Sequence, residues 1–251
     1  MKTKILLALF CVFAFSTFAF TQIVKITPKK TIYTRKFKVD QKEKKTFTIT
    51  YPIVSGTISA AAKKNLENTI SYWRAFETSL KENLNEMDWL DEAYFKVNYN
   101  KNGVLDISLT QEGVAAYPDS QTVNLVIDLK TGNQIKFNDA FKSDSREKLA
   151  VMVDKKLGFE KREIIANIAK EKDYYSTEED RKNDEQMLED LKFTAENFDE
   201  YSVSDKGVAI FYDAGFPHVI QALQPNGRYF FTWAQIKPFI KRDGLLARFV
   251  R

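Results

Sequence analysis

The chain of 251 residues has almost no cysteine or histidine, two side chains that enzymes use for metal binding and nucleophilic catalysis. Cys11 is its one cysteine and His218 its one histidine, whereas a zinc site needs three or four cysteine, histidine or carboxylate ligands. A Ser–His–Asp hydrolase would depend on His218, and the sequence has no Gly-x-Ser-x-Gly motif. We therefore expect no metal site, no cofactor and no catalytic residue.

The amino terminus resembles a secretory signal peptide. Lys2 and Lys4 precede an unbroken apolar run, Ile5 to Phe15, and small residues follow at two candidate cleavage positions. This run is shorter than the roughly 20 residues that a membrane-spanning helix needs. We expect residues 1–21 to be removed, leaving an exported periplasmic or extracellular chain without cysteine and without a membrane span.

The rest of the chain is predicted to form one α+β domain preceded by a basic segment. Residues 22–45 are rich in lysine and indicate either a loose arm or an edge strand. Residues 46–251 form the predicted domain, with halves at about 46–142 and 143–251. The net charge of +4 is too small to indicate a nucleic-acid partner. The oligomeric state stays open.

Apolar spacing predicts an antiparallel sheet packed against one long helix. Between residues 57 and 87, apolar side chains recur every three or four positions from Ile58 to Met87, as in an amphipathic helix. Residues 46–54 and 93–137 instead alternate apolar and polar side chains, as strands with one covered face do. The Asn102-Gly103 pair favours a tight hairpin.

Residue spacing in the second half predicts a helical insertion followed by a β-hairpin and a short helix. Residues 143–170 have helical spacing, and Gly158 should bend or interrupt that helix. Ser176 to Glu179 has the pattern of a capping box that opens a further helix. Residues 198–236 alternate again and contain turns at Gly207 and Gly227.

Two segments resemble the domain-of-unknown-function 3298/4163 family. Asp128-Leu129-Lys130-Thr131-Gly132, followed by Phe137 to Phe141, is similar to the family's core signature. Val203 to Val208 is similar to its carboxyl-terminal hairpin, and Thr232 to Ile236 to its closing strand and helix. The family includes the extracytoplasmic domain of a lysozyme-sensing anti-sigma factor and the non-catalytic domain of a peptidoglycan deacetylase. The resemblance implies a cell-envelope α+β binding module whose partner is a lysozyme-like protein or peptidoglycan.

Two loops depart most from the family pattern and form the predicted recognition site. They contain Tyr117 in one loop, and Phe216 and His218 in the other. The alternative function is a carboxylate-dependent glycan hydrolase, which needs only two carboxylates about 5–10 Å apart. Acids at strand ends or turns that could form such a pair are Asp106, Asp128, Asp205 and Asp213.

Amino-terminal sequencing of the native protein tests the predicted export. The mature chain should begin near Phe20 or Gln22, because cleavage follows the small residues at the end of the apolar run. An intact Met1 on the native protein would contradict removal of the segment.

Overall fold

A computed structural model describes residues 24–38, 42–87, 89–170, 175 and 177–250. The predicted signal peptide, residues 1–21, lies outside these described residues. The predicted α+β class is confirmed, since helices and strands both occur throughout the described chain. None of the described helices combines the length and the apolar character that crossing a membrane requires.

In the described residues, eight strands form two sheets. They are β1 (Val24–Thr34), β2 (Thr46–Gly56), β3 (Leu90–Lys101), β4 (Val104–Val114), β5 (Pro118–Asp128), β6 (Tyr201–Ser204), β7 (Gly207–Phe211) and β8 (Arg228–Thr232). The larger sheet has the order β1-β2-β3-β4-β5 and the smaller one β6-β7-β8. Neighbouring strands are antiparallel except for β2 and β3.

Helices of very different length connect these strands. The α-helices are α1 (Ala60–Thr69), α2 (Tyr72–Ala75), α3 (Leu80–Asn85), α4 (Phe137–Ala140), α5 (Arg146–Ile168), α6 (Glu178–Asp190) and α7 (Trp233–Ile236). Short 3-10 helices occupy Lys42–Lys45, Ser143–Ser145, Ala195–Asn197, His218–Leu223, Lys237–Phe239 and Leu245–Phe249.

The lysine-rich segment near the amino terminus forms an edge strand where the structure describes it. β1 pairs with β2 along its whole length, from Val24 opposite Gly56 to Thr34 opposite Thr46. Of the two interpretations of residues 22–45, the edge strand therefore holds for 24–34. Exposed lysines on such a strand disfavour edge-to-edge pairing with another chain.

The prediction of one long helix over residues 57–87 is wrong, because the segment divides into α1, α2 and α3. Ser71 takes an extended conformation before α2, and Glu77 has a positive φ of 49° after it. Ser79 then begins α3, its Oγ accepting a hydrogen bond from the Glu82 N–H at 3.2 Å. Serine favours such caps over helix interiors, because its hydroxyl bonds to the nearby backbone.

The three short helices still cover the larger sheet, and they determine how β2 and β3 pair. They form a crossover between the two strands, which run parallel with Thr48 opposite Glu92 and Ile49 opposite Ala93. A parallel pair needs such a crossover, whereas an antiparallel pair needs only a hairpin. The break after α1 also changes which side chains face the sheet, so that Tyr72 is buried and Trp73 is only partly buried.

The longest helix of the described chain is α5, with 23 residues. It is continuous across Gly158, so the predicted interruption there is wrong. Val153 and Leu157 of this helix are buried in the core, and that packing offsets the roughly 1 kcal/mol that glycine costs in a helix. The next helix is confirmed, but it begins one residue later than the predicted capping box, because the Thr177 hydroxyl caps α6.

Two hydrophobic cores lie on opposite faces of the larger sheet, as the two-residue period of a strand requires. Leu105, Ile107 and Leu109 of β4 pack in the core that includes Leu66 of α1. Val104, on the opposite face, belongs to the core shared with α5 and the smaller sheet. The first half of the chain therefore supplies one wall of the second half's core.

Asp106 joins the two sheets from within the protein. The residue is fully buried in β4. Its Oδ2 accepts a hydrogen bond from the Val203 N–H of β6 at 2.5 Å, and its Oδ1 one from the Asn98 amide of β3 at 2.9 Å. Burial raises the pKa of the Asp106 carboxyl, and hydrogen bonds from Ser202, Asn98 and Val203 oppose that rise.

We expect Asp106→Asn to lower the free energy of unfolding by about 1–3 kcal/mol, because one of the two donors then faces an amide nitrogen. Asp106 binds its proton more tightly in the folded state, so its contribution falls as the pH rises through the raised pKa. The deficit of the variant should therefore shrink as the pH rises. Urea unfolding of both proteins between about pH 4 and 8 measures this difference.

The exposed Asp243 offers a matched control, and Asp243→Asn should change stability by less than about 0.5 kcal/mol. A deficit of Asp106→Asn that stays constant with pH would contradict the raised pKa.

The break between α1 and α2 predicts opposite roles for two neighbouring aromatic residues. Tyr72 is 2% exposed, and its hydroxyl donates to the Thr50 carbonyl at 3.3 Å. Tyr72→Ala should cost about 3–5 kcal/mol, as truncation of a buried aromatic side chain does, and Trp73→Ala clearly less. Chemical unfolding measures both, and a larger loss for Trp73→Ala would instead support one continuous helix.

Candidate functional site

The Asp-x-x-Thr-Gly signature forms a tight turn after β5 that fixes the position of α1. The Gly132 N–H donates to the Asp128 carbonyl at 2.7 Å, and the Thr131 hydroxyl to the Asp128 Oδ2 at 3.2 Å. Gly132 has a φ of +76°, and a Cβ there would lie 2.1 Å from the carbonyl oxygen of Ala62 in α1. Only glycine permits both this conformation and this approach.

Two polar side chains of α1 hold the helix to that turn. The Asn65 amide donates to the Thr131 carbonyl and the Thr69 hydroxyl to the Gly132 carbonyl, both at 3.0 Å. The polar side of α1 consequently lies across from β5, and a cavity of about 550 Å³ separates them.

Glu200, the residue before β6, lies against the open edge of β5. Its Oε2 accepts hydrogen bonds from both the backbone N–H and the side-chain amide of Asn124, at 3.0 and 2.9 Å. The Ser108 hydroxyl of β4 donates to the Asn124 Oδ1 at 2.8 Å and orients the amide. Burial raises the pKa of the Glu200 carboxyl, and the two bonds from Asn124 oppose that rise.

A second cavity, of about 510 Å³, adjoins the first at Asn124, Asp199 and Glu200. We call the two together the β5 groove. Its first part is lined mainly by amide and charged side chains: Asn65, Asn68, Arg74, Glu77, Asn133, Gln134 and Lys136. Its second part adds aromatic, amide and carboxylate side chains: Asn197, Phe211, Tyr212, Asp213, Gln224 and Asn226.

The predicted recognition residues Tyr117 and His218 meet at the surface, although they lie 101 positions apart in the chain. Their rings stack with centroids 4.3 Å apart at 26°. Tyr117 is 57% exposed, and Val114, at the end of β4, and Val219, next to His218 in the chain, are exposed as well. We call these four residues the loop surface.

Phe216, the third predicted residue, lies elsewhere. It is 8% exposed and packs in a small core with Ile168 of α5 and Leu188 of α6. Its N–H donates to the Gln224 Oε1 at 3.0 Å. The Phe216 ring therefore anchors its loop from inside, and only His218 of this loop presents a ring to Tyr117.

An acidic groove of about 550 Å³ adjoins the loop surface. It is lined by Val114 and by Gln221 of the 3-10 helix that begins at His218. Its charged lining residues are all carboxylates: Asp91, Glu92, Glu112 and Asp119. The Tyr94 hydroxyl donates to the Glu112 Oε1 at 2.5 Å and holds one of them in place. The groove beside the loop surface is therefore lined by negative charge, while the Lys44 ammonium donates to the Val114 carbonyl nearby.

The strand-end acids that the sequence suggests for hydrolysis do not converge. Asp106 is buried between the sheets, Asp128 stabilises the exposed turn, and Asp205 pairs with Lys101 at 2.7 Å. Of these four acids only Asp213 lines the β5 groove, where Asp199 and Glu200 are further carboxylates. In the part of the chain that the structure describes, no three metal-binding side chains cluster.

The fold and its grooves define a two-sheet α+β protein with open polar clefts, and solved structures have the same architecture. A DUF3298-family protein from Bacteroides fragilis is 11% identical over 91% of this chain and 98% of its own, with a TM-score of 0.53. A DUF3298-family protein from Pseudomonas aeruginosa PAO1 is 11% identical over 88% and 94%, with a TM-score of 0.52. The resemblance that the motifs indicate is thus confirmed for the fold. No family model and no curated protein matches the sequence.

Sequence reasoning missed the β5 groove. Asn65 and Asn68 are one turn apart on the polar side of α1, and Glu200 directly precedes a strand. Spacing places the two asparagines on one helix face. Their position opposite Glu200 depends on the turn at Gly132, which no local pattern reveals.

Proposed function

We propose that this chain is an exported binding module of the cell envelope that recognises a protein partner through the loop surface. The observation behind the proposal is the exposed stack of Tyr117 on His218. Two loops that depart from the family pattern come together there. Exposed aromatic side chains anchor many protein interfaces, because they bury large areas at little entropic cost.

The acidic groove indicates the character of the partner. Its four carboxylates lie beside the loop surface and favour a basic contact surface, since complementary charge increases the association rate and specificity. A lysozyme-like protein, the partner that the family resemblance suggests, is the first candidate. Peptidoglycan is the second ligand to compare.

A second candidate function is carboxylate-dependent glycan hydrolysis in the β5 groove. Glu200 has a raised pKa through burial, as a general acid requires, and Asp213 lines the same groove. If the chain is such a hydrolase, it should release reducing ends from peptidoglycan, and Glu200→Gln should abolish that release.

Calorimetry with a basic lysozyme tests the binding proposal. Tyr117→Ala and His218→Ala should each weaken binding by more than about 1 kcal/mol, as removal of an anchor does. Phe159→Ala is the matched control, because Phe159 of α5 is 55% exposed and lies outside the loop surface. It should leave the affinity unchanged.

Circular dichroism should show all three variants folded, since each removed ring is exposed. Absence of binding by the unaltered protein would exclude this lysozyme as partner. Unchanged binding by both loop variants would exclude the loop surface as the site. Binding to peptidoglycan alone, weakened by the same variants, would keep the site and change the ligand.

A further inference from the structure

We propose that the β5 groove is a separate binding site for an uncharged, polyhydroxylated oligosaccharide. The two cavities of about 550 and 510 Å³ are each of ordinary size for a small ligand, and they are neighbours that share Asn124 and Glu200 as lining residues. A ligand that fills both is elongated. The proposal does not depend on a protein partner at the loop surface, nor on whether the bound chain is cleaved.

The lining provides the hydrogen-bonding groups that sugar hydroxyls need. Among the described residues, the side chains of Asn68, Asn133 and Gln134 line the first cavity without an internal hydrogen bond of their own. Each amide has a donor and an acceptor, as has each hydroxyl of a sugar, so adjacent groups can pair in both directions.

Several groove residues are already oriented for such contacts. Asn124 is held by Ser108 and Glu200, and Asp213 accepts from the Gly215 N–H at 2.8 Å and from the Gln224 amide at 3.1 Å. A preorganised polar group loses less entropy when a ligand binds. Tyr212 adds an aromatic side chain to the lining, and its ring makes a T-shaped contact with the Phe193 ring, with centroids 5.4 Å apart.

An extended peptide is a poorer occupant, because several backbone groups along the edge of β5, from Asn124 onward, are already hydrogen-bonded. Glu200 takes the outward N–H of Asn124. Farther along the strand, the Ile135 N–H donates to the Val126 carbonyl at 2.7 Å, and the Asp128 N–H to the Asn133 carbonyl at 3.0 Å. Strand addition needs these groups free, so recognition in the groove depends on side chains.

The charges of the groove favour an uncharged ligand over a strongly charged one. Arg74 and Lys136 line the first cavity together with Glu77, and the carboxylates Asp199 and Glu200 lie where the two cavities meet. A polyanion or a polycation would therefore each meet charges of its own sign along part of its length.

Titration of the full protein with cellohexaose, chitohexaose and maltohexaose tests the site, with binding followed by calorimetry. At least one of them should bind, and a hexapeptide of alternating glycine and serine should not. The double variant Asn68→Ala with Asn133→Ala should weaken the binding about tenfold or more, because it removes the donor and the acceptor of two side-chain amides. Both side chains are exposed and make no internal hydrogen bond, so thermal unfolding should be unchanged.

Asn183→Ala, which removes an exposed amide on α6, is the matched control and should leave the affinity unaltered. Failure of all three oligosaccharides to bind would overturn the proposal. Equal affinity of the unaltered protein and the double variant would overturn it too, as would equal binding of the hexapeptide. Loss of lysozyme binding in Tyr117→Ala with oligosaccharide binding intact would confirm that the two sites are independent.

Discussion

The arrangement of this protein depends on a buried carboxylate between its two sheets. A carboxylate in a protein interior is costly unless its oxygens are hydrogen-bonded. Asp106 meets that requirement with donors from β3 and β6, including the Val203 N–H. Because Val203 is tied to β4 in this way, the start of β6 has one position against the larger sheet. Glu200, three residues earlier, is thereby brought to the edge of β5, where it meets Asn124.

A second constraint acts on the other side of the β5 groove. Gly132 lets the chain pass so close to α1 that any Cβ would collide with Ala62, and Asn65 and Thr69 bond to the same turn. The groove is therefore bounded by two elements whose distances from β5 are set by separate hydrogen-bonded contacts. A polar cleft between such elements keeps its shape without apolar packing across it, which suits a ligand that binds by hydrogen bonds.

The loop surface arises in a different way. The segment that contains His218 is held from inside by Phe216, whose ring packs between α5 and α6. The helical insertion thus supports the loop that meets Tyr117 at the end of the larger sheet. Phe216 is buried, and His218, two positions later, presents its ring at the surface. The buried Phe216 ring and the 3-10 helix that begins at His218 together hold the exposed stack in place.

The amino-acid sequence was enough to predict the α+β class, the alternating strands and the caps, because these depend on local periodicity and on side chains that bond nearby backbone. Its motifs also indicated the fold that two DUF3298-family structures have. Local spacing failed between residues 57 and 87, where the extended Ser71, the positive φ of Glu77 and the cap at Ser79 interrupt a regular apolar stripe. It also failed at Gly158, where tertiary packing outweighs a weak propensity. The three-dimensional structure was needed to show that Tyr117 stacks on His218 and that Asn68 and Glu200 line the same groove. Those pairs are distant in the chain, and the contacts that join them pass through the buried Asp106, the turn at Gly132 and the Phe216 core, whose partners no local pattern specifies.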